Sequence, residues 1–158
     1  VHLINLVMRE QGLIVPKGNP RGIKGLFDVA DQSLFFINRQ PGSGTRILFD
    51  YQLEKLGLTR DQIKGYTNEE YTHMSVAVAV LSGRADAGLG IYAAAKALDL
   101  DFIPVITESY DLVIPDRFIG TEKVQVLLNT ISTRQFKQRV EALGGYGTEK
   151  TGDVLWKC

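Results

Sequence analysis

Residues 34 to 47, LFFINRQPGSGTRI, hold the side chains best suited to chemistry in this chain: Arg39 and Arg46 flank a glycine loop that contains Ser43, Gly44 and Thr45. Glycines let a backbone turn tightly and point its N–H groups inward, and a following helix adds a partial positive charge at its start. Hydroxyls donate single hydrogen bonds, and a guanidinium binds two oxygens at once. Together these groups supply what a tetrahedral anion needs. The same residues also fit an ordinary strand-to-helix turn with Ser43 or Thr45 as N-cap and both arginines in solvent. Arg39, at the strand end, is the expected charge partner, because ligands of open α/β sheets gather at the carboxyl edge of the strands. Arg46 lies one turn into the helix and faces either way. A phosphate-binding P-loop is excluded, since no Gly-Lys-Ser/Thr closes the segment.

A second glycine-rich strand end, Gly88-Leu89-Gly90-Ile91-Tyr92, runs into another helix, and its amides at Ile91 and Tyr92 could complete an anion site. Tight strand-to-helix packing accounts for the same small residues. Glu69, Glu70 and His73 could be read as metal ligands, but no second carboxylate-histidine pair supports them, and Thr72 as a helix N-cap explains the segment more simply. No metal is expected, although Thr72 or His73 could touch a cleft near the loop. Glu108, Tyr110 and Asp111 lie on a crossover, where hinge positions either face a ligand or form a hydrogen-bond network. Arg84 and Asp86 read as a surface pair. Ser43 lacks a nucleophile elbow and His73 lacks a serine-carboxylate partnership, so no catalytic residues are expected and the chain reads as a binding domain.

The elements that must position these groups follow from apolar pattern. Glu10-Gln11-Gly12-Leu13-Ile14-Val15-Pro16 and Ser109-Tyr110-Asp111-Leu112-Val113-Ile114-Pro115 echo one another as buried strands stopped by proline. Between them helix-like and strand-like stretches alternate, the pattern of an α/β lobe with parallel strands. A short helix is expected over 21–29 and a strand over 34–38. Ile47, Leu48, Tyr51 and Leu56 recur at helical spacing before Gly57, Thr72 caps a second helix, and an alanine-rich helix spans 91–98. A returning strand follows at 101–106. Two amphipathic helices, 124–131 and 133–143, end at Gly144-Gly145, with Tyr146-Gly147 continuing the turn.

Charge and composition narrow the partners. Acidic and basic residues balance at eighteen each among 158 residues, so no global field favours nucleic acid or an anionic membrane, and recognition of charge must be local. The sole cysteine, Cys158, allows no internal disulfide and no CxxC metal site. No apolar run approaches the roughly 20 residues of a membrane span, and no signal peptide is visible, so the expected compartment is the cytoplasm. A chain that opens with Val1 inside a strand reads as part of a longer protein.

NRQPGSGTR, then THMSVAVAVLSGRADAGLGIYAAAKALDLDFIPV, ESYDLVIP and EALGGYGTEKTG give the chain a resemblance to the periplasmic-binding-protein-like domain attached to molybdopterin molybdotransferase-type proteins and to some helix-turn-helix regulators. Such domains look like type II solute-binding proteins, and the segment around Arg39 and Ser43-Gly44-Thr45 is similar to the oxyanion loop of tungstate-binding proteins. The resemblance implies an α/β, type II periplasmic-binding-protein-like fold of two lobes joined by hinge strands. Residues 18–105 form the second lobe, while 1–17 and 106–158 form part of a first lobe whose opening elements are absent. It implies a ligand-binding set of Arg39, Ser43, Gly44, Thr45, Arg46, Thr72, Ile91, Tyr92 and Tyr110. The ligand would be a small-molecule anion, molybdate or tungstate first, with no other cofactor, in a molybdenum-cofactor biosynthesis protein. Two other readings fit the same resemblance: an effector domain of a transcriptional regulator that binds an organic acid or a pterin, and a non-binding dimerisation domain. Expected partners are an attached molybdenum-cofactor or DNA-binding domain and a second copy of the chain, because an incomplete first lobe exposes an apolar face.

Overall fold

The computed structural model describes residues 1–31 and 33–157; Cys158 and Gln32 lie outside the described residues. The chain divides into two units, residues 11–106 in one and residues 1–10 with 107–158 in the other. Strands β1 (His2–Val15) and β5 (Asp101–Ile114) contribute residues to both.

The 11–106 unit adds β2 (Phe36–Arg39), α1 (Gly44–Lys55), β3 (Glu69–Glu70), α2 (His73–Leu81), β4 (Ala87–Ile91) and α3 (Tyr92–Ala97). The sheet order is β3-β2-β4-β1-β5. β2 pairs in parallel with β3 and with β4, as the alternating pattern implies. β1 runs antiparallel to β4, setting Gln11 opposite Ile91 and Leu13 opposite Leu89.

Successive strand residues point to opposite faces, and the core follows that rule. Leu13, Val15, Phe36 and Leu89 pack in one cluster with Phe49 and Leu53 of α1. Ile14 and Ile37 pack in the other with Val76, Ala77 and Val80 of α2 and Ala94 and Ala95 of α3. Strands buried on both faces read as the short apolar runs seen in the sequence.

Several boundaries differ from expectation. The helix expected over 21–29 is a single 3-10 stretch, Leu26–Ala30, because Gly22 takes a positive φ of 63° and Gly25 is fully extended. The inner face of α1 is Thr45, Arg46, Phe49 and Leu53, while Ile47 and Tyr51 of the helically spaced apolar set are exposed. The returning strand and the second echo strand are one continuous strand, β5. In the first echo, proline ends a strand that began at His2.

In the other unit, residues 2–4 of β1 pair with β7 (Val154–Lys157), and Met8 and Arg9 pair with β6 (Tyr146–Gly147). Gly144 and Gly145 take positive φ and end helix α6 (Arg134–Leu143) as expected, but Tyr146-Gly147 forms β6 instead of prolonging the turn. Helices α4 (Asp116–Ile119) and α5 (Glu122–Ile131) precede α6. Ile4, Val7, Ile114 and Ile131 are its buried apolar residues, whereas Val113, Val154 and Trp156 are exposed. Among the described residues no helix is long and apolar enough to cross a membrane.

Close backbone approach fixes the site-bearing end of β1. A Cβ at Gly12 would lie 2.2 Å from the Ile103 carbonyl oxygen and 2.7 Å from the Phe102 ring, so only glycine lets β1 and β5 meet there. Gly12→Ala is expected to destabilise by about 1–3 kcal/mol in urea unfolding. Gly120→Ala, where a Cβ meets nothing within 4 Å, is the matched control and should be nearly neutral.

Candidate functional site

The carboxyl ends of β2 and β4 carry Arg39 and Ile91, and β1 enters the same edge at Gln11, the partner of Ile91. Three helices start above this edge: α1 after β2, α2 after β3 and α3 after β4. Each start leaves first-turn amides without an intrahelical acceptor.

The loop between β2 and α1 closes as a turn in which the Ser43 amide donates to the Gln40 carbonyl, and Gly42 takes the φ of 84° that glycine tolerates. Ser43 is the N-cap: its Oγ accepts from the Arg46 amide at 3.2 Å. Gly44 and Thr45 are the first two residues of the helix. Thr45 is buried and its Oγ1 donates to Gln11 Oε1 at 2.7 Å.

The two arginines have different roles. Arg46 faces inward: its Nη1 donates to Glu69 at 3.1 Å and to the Arg39 carbonyl at 2.9 Å, its Nε donates to the Tyr66 hydroxyl at 3.2 Å, and Asp50 lies 3.4 Å away. Its guanidinium also stacks 4.0 Å from the Tyr66 ring centre. Burial opposes the charge, yet the hydrogen bonds that Arg46 donates to Tyr66 and Glu69 hold its pKa above the ordinary arginine value. Arg46, expected among the ligand groups, is engaged by these partners and seats α1 on β2 and β3. Arg39, on the α2 side of the strand by alternation with Ile37, donates through Nη2 to the Tyr71 carbonyl at 3.0 Å and through Nε to Gln40 Oε1.

Thr72 caps α2 as expected, with its Oγ1 accepting from the Ser75 amide at 2.9 Å. His73 is close behind β4, 3.7 Å from where a Cβ of Gly90 would stand. Glu69 is paired with Arg46, and Glu70 with Arg84 at 3.0 Å. Arg84 and Asp86 are therefore not partners; Asp86 pairs with Arg21 and accepts from the Phe35 amide. The glycines of β4 serve packing, since a Cβ at Gly88 would meet Ile37 and Val76 at 2.6 Å. Tyr92 turns its ring edge-on to Phe102 at 5.3 Å.

Tyr110, Glu108 and Asp111 belong to the other unit. There the Arg9 guanidinium stacks 4.5 Å from the Tyr110 ring centre and donates to Glu108. Asp111 accepts from Asn5 and Ser109, so Glu108 and Asp111 are both hydrogen-bonded within this unit. The structure thus groups Thr45, Ser43, Gly44 and Gln11 beside one face of the sheet edge and Arg39 with Tyr71-Thr72 beside the other, where Ile91 also packs. A recess of about 590 Å³ in the same unit is lined by Asp50, Glu54 and Asp61, whose charge does not suit an anion.

Gln11, Asn38 and Tyr66 were not singled out by the sequence. Asn38, whose Nδ2 donates to the Tyr66 carbonyl, has no motif around it. Gln11 carries a signal, a polar residue at the head of the apolar run Leu13-Ile14-Val15.

A family model described as the PBP superfamily domain matches residues 1–132. The Bacillus subtilis (strain 168) protein described as "Uncharacterized protein YvgK" is 39% identical over 153 residues, covering 97% of this chain and 49% of that protein, so the chain spans about half the length of that relative. PEB3 of Campylobacter jejuni, solved with L-phospholactate, has a TM-score of 0.66 at 17% identity, over 92% of this chain and 68% of that one. The substrate-binding domain assigned to a molybdenum ABC transporter of Clostridium difficile has a TM-score of 0.66 at 16% identity, over 92% and 66%.

Burial pushes the Tyr66 hydroxyl pKa upward, and its hydrogen bond to Asp50 adds to this while Arg46 opposes it. A phenol with a raised folded-state pKa supports the fold below the ordinary tyrosine value of 10.0, and that support is lost as pH rises beyond it. Stability measured by urea unfolding should fall more steeply above about pH 10 in the unaltered protein than in Tyr66→Phe. Arg46→Ala strands Glu69 and Tyr66; with the carboxylates about a quarter exposed, a loss of roughly 2–3 kcal/mol is expected near neutral pH.

Proposed function

The chain belongs to the periplasmic-binding-protein superfamily, and on that premise we propose that residues 11–106 carry a small-oxyanion site at the start of α1. The domain has a type II periplasmic-binding-protein-like fold, a small-ligand solute-binding fold, which supports a binding role in place of catalysis. The observation that carries the proposal is the helix start itself. Ser43 caps one amide and leaves those of Gly44 and Thr45 facing the carboxyl edge, while Glu69 and Glu70, the carboxylates at that edge, are neutralised by Arg46 and Arg84.

Arg39 supplies the countercharge from the end of β2, held in place by the Tyr71 carbonyl and Gln40. Thr72 and the Ile91-Tyr92 amides complete the rim. Molybdate and tungstate are the first candidates, with a molybdenum-cofactor protein as the setting; the molybdenum transporter domain among similar folds supports that choice. The phospholactate bound by PEB3 favours a second ligand class, a phosphorylated organic acid sensed by an effector domain.

Calorimetry with molybdate, tungstate, sulfate, phosphate and phospholactate tests this reading. One of the inorganic anions is expected to bind, and Arg39→Ala should weaken it by roughly ten- to a hundredfold, the scale of one charge-assisted contact. Binding unchanged in Arg39→Ala removes that residue from the site, and binding of phospholactate alone selects the effector reading.

A further inference from the structure

We propose that Gln11 is a ligand-binding residue whose carboxamide N–H₂ donates to an unprotonated oxygen of the bound oxyanion; this rests on the oxyanion reading of the α1 start. Gln11 is fully buried at 0% exposure. Its Oε1 is occupied by the Thr45 hydroxyl at 2.7 Å, and its Nε2 has no hydrogen-bond partner. A buried amide nitrogen with two unmade bonds is costly to keep. Nothing in the fold requires it: the neighbouring positions of the strand on the same face are Leu13 and Val15, which pack in the apolar cluster under α1.

The placement gives the stranded donor a use. Oε1 and Nε2 share one carbon, so a hydrogen bond from Thr45 to the first brings the second within a few ångströms of the second residue of α1, where the open amides lie. The register sets Gln11 opposite Ile91, the last residue of β4, so the same donor stands beside the second glycine-rich strand end. Turning the amide over would pair Nε2 with Thr45 Oγ1 and release the Thr45 proton, so the couple keeps a donor at the helix start in either orientation. Backbone amides and Nε2 are all neutral donors, and they suit an oxygen that carries no proton.

The test uses the whole chain, molybdate and sulfate as probes, and two readouts. Gln11→Met removes the stranded amide at nearly constant shape. Its ligand-free thermal midpoint is expected to match or exceed that of the unaltered protein, while its affinity for the bound anion falls at least tenfold. Gln11→Glu replaces the donor with a carboxylate and should lower affinity at least a hundredfold at pH 8. Unchanged affinity in both variants, or a loss of stability in Gln11→Met without a loss of affinity, overturns the proposal and makes Gln11 a structural residue. If neither probe nor any other anion binds the unaltered chain, the oxyanion reading itself fails, an outcome distinct from anion binding that ignores position 11.

Discussion

The buried charge of Arg46 is the interaction on which the 11–106 unit depends. One guanidinium reaches Glu69 of β3, the Arg39 carbonyl of β2 and the Tyr66 hydroxyl, and Asp50 of its own helix stands close by. A charge removed from water must find partners, and here the partners come from three separate elements. Satisfying it sets the start of α1 directly over the carboxyl end of β2. The first-turn amides, which a helix cannot satisfy internally, are thereby brought to the end of β2. In the proposed site stability and recognition would share one cause, because the pairing that anchors the helix also cancels the acidic side chain that would repel an anion.

Strand alternation supplies the second constraint. Leu13, Phe36 and Leu89 look to α1, while Ile14, Ile37 and the small residues of β4 look to α2. Extending that parity to the strand ends puts Gln11 on the α1 side and Arg39 on the α2 side, whereas Ile91, at the end of β4, packs against the α2 cluster. The proposed site is then neither a loop nor a helix start alone: it is the edge of a sheet, with neutral donors on one side and a guanidinium on the other.

Fold class was legible because it rests on patterns of several residues. Alternating apolar runs and helix stops implied parallel strands between layers, and Thr72 at a helix start was readable from local chemistry that needs no tertiary context. What depended on distant partners was not. Ile47 and Tyr51 belong to the helically spaced apolar set of α1, yet the helix turns on Arg46 because Glu69, twenty-three residues on, accepts its charge. Arg84 and Asp86 look paired in sequence and part in space because Glu70 and Arg21 are nearer. Gln11 was hidden for the same reason, since its hydrogen bond to Thr45 spans thirty-four positions. The glycine loop was found from its own residues, whereas the donor beside it required the fold.

The proposed oxyanion site is the edge bounded by Gln11, Gly44 and Thr45. An amide-resolved NMR titration with molybdate tests it most directly. The account predicts that the backbone amides of Gly44 and Thr45 and the side-chain N–H₂ of Gln11 shift together and saturate at one ligand concentration. Saturating shifts confined to residues away from that edge, or no saturating shift with any tetrahedral anion, would contradict it.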